Sequence, residues 1–443
     1  MLHPLALGTG MCHTIRVKGS EFTMNTNGIN AKELLSNPYA QKRWKLRQVL
    51  KQFDAKPVDG RQPIPDELCV EMVEELVTKG IDKDAPIGVI DYFLQICTYL
   101  KEYGFTNLHY LETEHKDLDY NQEVYYTKCK QVCEASGIAY HTNYDSMKQF
   151  DVVIGNPPYQ DGDKKTSYNQ FWAEFFVQGF DMLGENGFQI MVHPATWATP
   201  KDTNRKNITN TVCDILRNHA HSINYLECGR HFKGVGSTFS VTVVSKKENE
   251  GSCSIVTPDE KFVVNTAGEF VDNVLSKNNT KVAISIISKI RNHKMLTPVL
   301  KNKSLVGDIV TTKDDTHQYR IQYAATTEKW SDTEHPLQNN KKILFANQSS
   351  RNFPVYDSGV SAPCNRGSIF LVDSDIEGNN IVETMKTDVM DFFISHQRFH
   401  HGLLNTSVVN CVPELNYTKT WNNEELANEF GLSQEELTFI LNS

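Results

Sequence analysis

At 443 residues, with 39% hydrophobic and 22% charged side chains, the chain is long enough for two domains and has the composition of a soluble globular protein. No apolar run approaches the roughly 18 residues a membrane-spanning helix requires, which excludes a membrane protein. A net charge of −9 excludes a chain that coats nucleic acid indiscriminately and leaves room for a local basic cleft.

Ten cysteines lack a repeated CxxC, and the positions of Cys69, Cys97, Cys213 and Cys228 in apolar segments suit reduced thiols in a cytoplasmic protein. Cys129 and Cys133 stand four apart without a nearby His pair, so no metal is expected. Residues 1–23, with "GSEF" before Met24, read as a vector-derived or disordered leader. The stretch 30–51 is helical and basic through Lys42, Arg43, Lys45, Arg47 and Lys51; a solvated face or a phosphate contact both fit.

From residue 65 the elements alternate. Pro65-Asp66-Glu67 opens a helix that stops at Gly80; "PIGVID" (86–91) is a strand, 92–104 a helix, 107–112 a strand and 120–137 a helix. "IAYHTNYD" (138–145) and "FDVVIG" (150–155) are strands, and 168–183 is a helix. "NGFQIMVHP" is a strand ending at Pro194, 207–220 a helix, and 222–228 and 239–247 are strands expected at an antiparallel edge. Strands alternating with helices of this length imply a Rossmann-like, doubly wound, mostly parallel α/β sheet over 24–250. Shorter strands and polar loops then imply a mixed α+β second domain over 251–405, followed by a helical tail, 406–443. Between Asn273 and Lys303 there are seven Lys/Arg and no Asp or Glu, which makes Lys281, Lys289, Arg291 and Lys294 candidates for a DNA-binding surface.

After the strand "DVVIG" stands Asn156-Pro157-Pro158-Tyr159, where two prolines end the sheet. Ligands of open α/β sheets bind beyond the carboxyl ends of strands. An amide oxygen on Asn156 and a carbonyl fixed by the following proline are two acceptors that can grip both hydrogens of an exocyclic amine, while Tyr159 stacks on its ring.

Asn-Pro-Pro-Tyr after an apolar strand resembles the catalytic motif of S-adenosylmethionine-dependent DNA adenine-N6 methyltransferases of the gamma class, as found in restriction-modification systems. Glutamine-N5 and guanine-N2 methyltransferases carry similar tetrapeptides, and the long region after the motif favours a target-recognition domain. The resemblance implies that Asn156 and Pro157 hold N6 of a base flipped from double-stranded DNA and that Tyr159 stacks on it. "HFKGVGSTFSVTVVSKK" resembles the segment supplying a second aromatic, which makes Phe232 the candidate; each stack contributes roughly 1–3 kcal/mol. "NGFQIMVHPATW" and the tail from Thr418 resemble further parts of such enzymes.

The family's cofactor strand ends in a sequence like DPACGSG. Here Asp91 matches the acid, but no glycine occurs between Gly88 and Gly104, and Tyr92, Phe93 and Leu94 occupy the turn. Glu112 or Glu114 is the candidate for the ribose hydroxyls and Asp145 for the cofactor's adenine amine. No nuclease constellation is visible, so a stand-alone modification enzyme is the narrower expectation, with room for a partner restriction subunit. A methyltransferase-fold DNA- or protein-binding module that has lost the cofactor, and an enzyme methylating RNA or protein, are the alternatives.

Overall fold

The computed structural model describes residues 12–17, 20–25, 64–91, 94–112, 120–142, 149–159, 171–198, 208–225, 231, 238–275, 278–301, 307–322, 328–346, 354–361, 367–396 and 412–443. They fall into two compact units, one formed by Met1–Ala195 with Thr211–Val256, the other by Thr196–Asn210 with Thr257–Ser443. Across the end of the expected leader, β1 (Cys12–Val17) pairs antiparallel with β2 (Ser20–Asn25), each strand carrying β-branched or aromatic residues that favour extended backbone.

The first unit alternates as the periodicity implies. Helix α1 (Asp66–Thr78) starts behind Pro65 with two acids in its first turn and buries Leu68, Cys69, Met72, Val73 and Leu76 on one face. Then follow β3 (Ile87–Ile90), α2 (Gln95–Glu102), β4 (Leu108–Leu111), α3 (Tyr120–Ala135), β5 (Ala139–His141) and β6 (Phe150–Gly155). Helix α2 is closed by Gly104, whose φ of +87° suits a residue without a β-carbon. After the candidate motif come α4 (Phe171–Asp181), β7 (Leu183–Pro194), α5 (Ile208–His219), β8 (Ala220–Tyr225), β9 (Phe239–Ser245) and β10 (Cys253–Val256).

These strands lie in the order β5-β4-β3-β6-β7-β9-β8-β10. From β5 to β7 all neighbours are parallel, β9 is antiparallel to both β7 and β8, and β10 is parallel to β8. The antiparallel strands expected at the edge are therefore interior. The continuous run "FSVTVVS" explains it: every residue of β9 is buried, as in a strand covered on both faces. Central β3 is likewise buried at every position, whereas outer β5 is half-buried throughout.

The second unit holds β11 (Lys261–Val264), α6 (Ala267–Val271) and α7 (Lys281–Arg291), the latter capped by Thr280, whose side chain accepts from the Ala283 N–H at 3.2 Å. Strands β12 (Leu300–Lys301), β16 (Lys342–Ala346), β17 (Val355–Asp357) and β18 (Gly367–Leu371) form an antiparallel sheet in the order β12-β18-β16-β17. Strands β13 (Ile309–Val310), β14 (Tyr319–Gln322) and β15 (Glu328–Ser331) form a second one, in the order β13-β15-β14. Helices α8 (Asp375–Thr384), α9 (Asp388–Ser395), α10 (Asn423–Glu429) and α11 (Gln434–Leu441) complete the unit. The last two, expected as a separate tail, share one core with the rest: Phe430, Leu437 and Ile440 join Ile286 and Ile290 of α7, Phe345 of β16 and Phe393 of α9. Each fully buried side chain of this size contributes about 1.5–3 kcal/mol.

Candidate active site

In the first unit the strand order reverses between β3 and β6, the kind of switch point beyond whose carboxyl ends open α/β sheets bind ligands. The two strands are in parallel register with Ile90 opposite Gly155, so Asp91 and Asn156 leave the sheet side by side. The approach is close: a β-carbon on Gly155 would lie 2.4 Å from the Ile90 carbonyl oxygen. The Asn156 backbone N–H donates to that same carbonyl at 2.7 Å. Asn156, Pro157, Pro158 and Tyr159 are all buried, with Asn156 at 0% exposure.

Tyr159 turns back over the motif. Its hydroxyl donates to Asn156 Oδ1, and its ring lies 5.2 Å from that of Phe239, tilted by 57°. Phe239, the first residue of β9, is opposite Pro194 of β7. It is an aromatic that sequence reasoning did not single out; the signal was its place at the end of the glycine-punctuated loop that also holds Phe232. Phe232 lies outside the described residues.

Next to Pro194 stands His193, also missed in the sequence. It is fully buried, stacked on Trp172 of α4 at 4.9 Å with the rings nearly parallel, and meets Phe176 edge-on. Its Nε2 is 3.0 Å from Thr242 Oγ1. Burial lowers its pKa to about 4, so the ring is neutral in this packing.

On the cofactor side, Asp91 is fully buried and its Oδ2 accepts from the Ile96 N–H at 2.6 Å, which ties the acid to the start of α2. Tyr110 Oη donates to the Asp91 carbonyl at 2.7 Å. The turn into α2 passes through Leu94 with φ 55°, a left-handed backbone costing about 1–2 kcal/mol in a residue with a β-carbon. Leu94 is only 1% exposed, and burial of its side chain offsets that cost. Glu112, at the end of β4, is 1% exposed and anchored by its N–H to the His141 carbonyl at 2.8 Å. The Cys133 thiol, pushed up to about 12 by burial and then by the charges of Asp91 and Glu112, feels both acids. Two buried acids on adjacent strand ends fit a nucleoside with ribose hydroxyls to donate, so the acids suit S-adenosylmethionine although the glycines are absent. Glu114 and Asp145 lie outside the described residues.

In the second unit, the cations read as a DNA surface largely have intramolecular partners. Lys289 Nζ is 2.7 Å from Glu436 Oε2, Lys294 Nζ is 2.8 Å from Glu414 Oε1, and Arg291 donates to the Asp272 carbonyl. Lys281 is exposed, with its backbone N–H donating to Glu260 Oε2 at 2.8 Å. Among the described residues no group of three or more His, Cys, Asp or Glu could hold a metal, and no helix is long and apolar enough to cross a membrane.

Residues 38–223 match the Eco57I restriction-modification methylase family, a segment that contains β3 to β7, Asp91, Glu112 and the tetrapeptide. No curated protein matches the chain. Among solved structures it is similar to a protein assigned to the class I S-adenosylmethionine-dependent methyltransferases of Listeria monocytogenes, at 15% identity over 52% of this chain and 73% of that one, with a TM-score of 0.36. It is also similar to a type I restriction-modification methyltransferase subunit of Streptococcus thermophilus, at 15% identity over 53% and 57% with a TM-score of 0.35. A third is a type I modification subunit of Vibrio vulnificus, at 11% identity over 52% and 53% with a TM-score of 0.35. The chain spans little more than half the length of the latter two.

Proposed function

We propose, from the match of residues 38–223 to restriction-modification methylases, that the chain methylates N6 of adenine in double-stranded DNA on a base flipped from the helix. S-adenosylmethionine, when bound, supplies an electrophilic methyl group. Asp91 and Glu112 are the residues that would hold it, Glu112 by accepting from ribose hydroxyls. Asn156 Oδ1 and the Pro157 carbonyl accept the two N6 hydrogens and turn the nitrogen lone pair out of conjugation with the ring. They hold both protons until one departs to solvent. Tyr159 stacks on the base and offsets part of the unstacking cost.

The observation carrying this reading is the Asn156 N–H bond to the Ile90 carbonyl, 2.7 Å, which fixes the amine-gripping motif beside the strand end that bears Asp91. The test is incubation with methyl-labelled S-adenosylmethionine and double-stranded DNA, followed by digestion to nucleosides. Label is expected in N6-methyladenine and absent with Asn156→Ala. Unlabelled DNA, or full labelling by the variant, refutes the proposal. The left-handed turn at Leu94, in place of glycines, favours one other reading: a DNA-binding module without a cofactor. Titration calorimetry with S-adenosylmethionine separates the two, since the module takes up none.

A further inference from the structure

Asn156 is fully buried, Tyr159 is 9% exposed and Phe239 2% exposed, so a base does not reach the amide in this arrangement. Tyr159 meets both of the other two residues. Its hydroxyl donates to Asn156 Oδ1, the oxygen assigned above to an N6 hydrogen, and its ring closes on Phe239 with centroids 5.2 Å apart. A base between two rings needs on the order of 7 Å, twice the stacking rise of about 3.4 Å. The rings are too close and too tilted to admit one.

The geometry points to Tyr159 as a gate, closed by its bond to Asn156 Oδ1 and its ring contact with Phe239, and opened by an exocyclic amine that takes over the acceptor. This inference rests on the proposed methyl-acceptor role of the motif and deepens it, because the gate selects its substrate. An incoming amine replaces an O–H donor with an N–H donor, and the buried acceptor stays satisfied. A base presenting a carbonyl at that position removes the phenol and gives nothing back. Loss of that one hydrogen bond without replacement weakens such binding by roughly tenfold. Recognition of the amine therefore precedes chemistry and requires no further side chain. Phe239 is a positioning residue in this scheme, since it meets Tyr159 rather than the reacting nitrogen.

Two measurements on the full chain test the gate. The first is a double-mutant cycle on the unfolding equilibrium with Tyr159→Phe, Asn156→Ala and both together. The gate predicts that the double variant loses less than the two singles combined; additive losses overturn it. The second is binding of oligothymidylates carrying one adenine or one hypoxanthine. The intact protein is expected to favour adenine by about tenfold, and Tyr159→Phe to bind both oligonucleotides roughly 3- to 10-fold more tightly, because no phenol bond has to be broken. Phe239→Leu, which keeps an apolar filling, is expected to tighten binding in the same direction. Coupling in the cycle without tighter binding by either variant assigns the bond to folding alone and overturns the gate. An intact protein that prefers adenine yet transfers no methyl group sinks the proposed function and leaves the gate standing.

Discussion

Gly155 passes Ile90 so closely that a β-carbon would sit 2.4 Å from the Ile90 carbonyl oxygen. No side chain fits there without separating β3 from β6, the two strands whose ends carry Asp91 and Asn156. Gly155→Ala is expected to cost about 1–3 kcal/mol, the usual penalty of overpacking, and to lower methyl transfer more than its stability loss explains. Urea unfolding and initial rates on folded protein check this. A variant with native midpoint and native rate would show that the two strands have slack.

Asp91 serves both its own loop and the proposed cofactor site. Its Oδ2 bond to the Ile96 N–H, 2.6 Å long, satisfies a donor at the start of α2. Asp91→Ala is expected to lose about 1 kcal/mol, as for removal of a helix cap, and to weaken S-adenosylmethionine binding. Asp91→Asn retains an acceptor oxygen and is expected to recover most of the stability. If calorimetry gives both variants the affinity of the parent protein, Asp91 only closes the turn.

His193 gives the first unit a built-in acid limit. Its folded pKa of about 4 lies below the ordinary 6.5, so between those values the unfolded chain binds a proton that the native protein refuses. The contribution is complete above pH 6.5 and declines as pH falls toward 4. A shift of that size corresponds to roughly 3 kcal/mol. His193→Phe is expected to flatten this part of the stability–pH curve, followed by thermal unfolding from pH 7 to 4. An unchanged slope would assign acid sensitivity to other groups.

Local chemistry made the central motif legible. Two prolines after an apolar strand must end it, and the observed β6, Phe150–Gly155, has the boundaries read from the sequence. The helices between β3 and β7 were equally legible, since periodicity of 3.6 and glycine stops are local signals. Insertion of β9 between β7 and β8 was not, because strand neighbours are chosen by pairing between distant segments. Leu94 shows a further gap. Glycine is the residue the backbone favours at positive φ, and only burial of its side chain reveals why leucine stands there. The acids that meet Lys289 and Lys294 lie more than a hundred residues away in sequence, beyond the reach of a charge-run argument.

That last relationship separates two kinds of lysine on α7. Lys289 pairs with Glu436, which also accepts from Ser285 Oγ at 2.7 Å and from the Ser433 N–H at 2.7 Å. Burial alone would raise the Glu436 pKa, but the Lys289 ammonium and these hydrogen bonds hold it below the usual carboxylate range. The stabilisation is therefore complete above that range and lost as pH falls through the depressed folded pKa. The Lys289 side chain is 37% exposed, so screening limits the pair to about 1 kcal/mol. Lys289→Ala is expected to lower stability by that amount while the slope of log affinity for DNA against log salt stays constant. Lys281 is exposed at the first position of the same helix, and if it meets a phosphate, Lys281→Ala reduces that slope by about 0.9. Should Lys289→Ala change the slope and Lys281→Ala leave it alone, the DNA surface would include the partnered cation and the ion pair would have to open on binding.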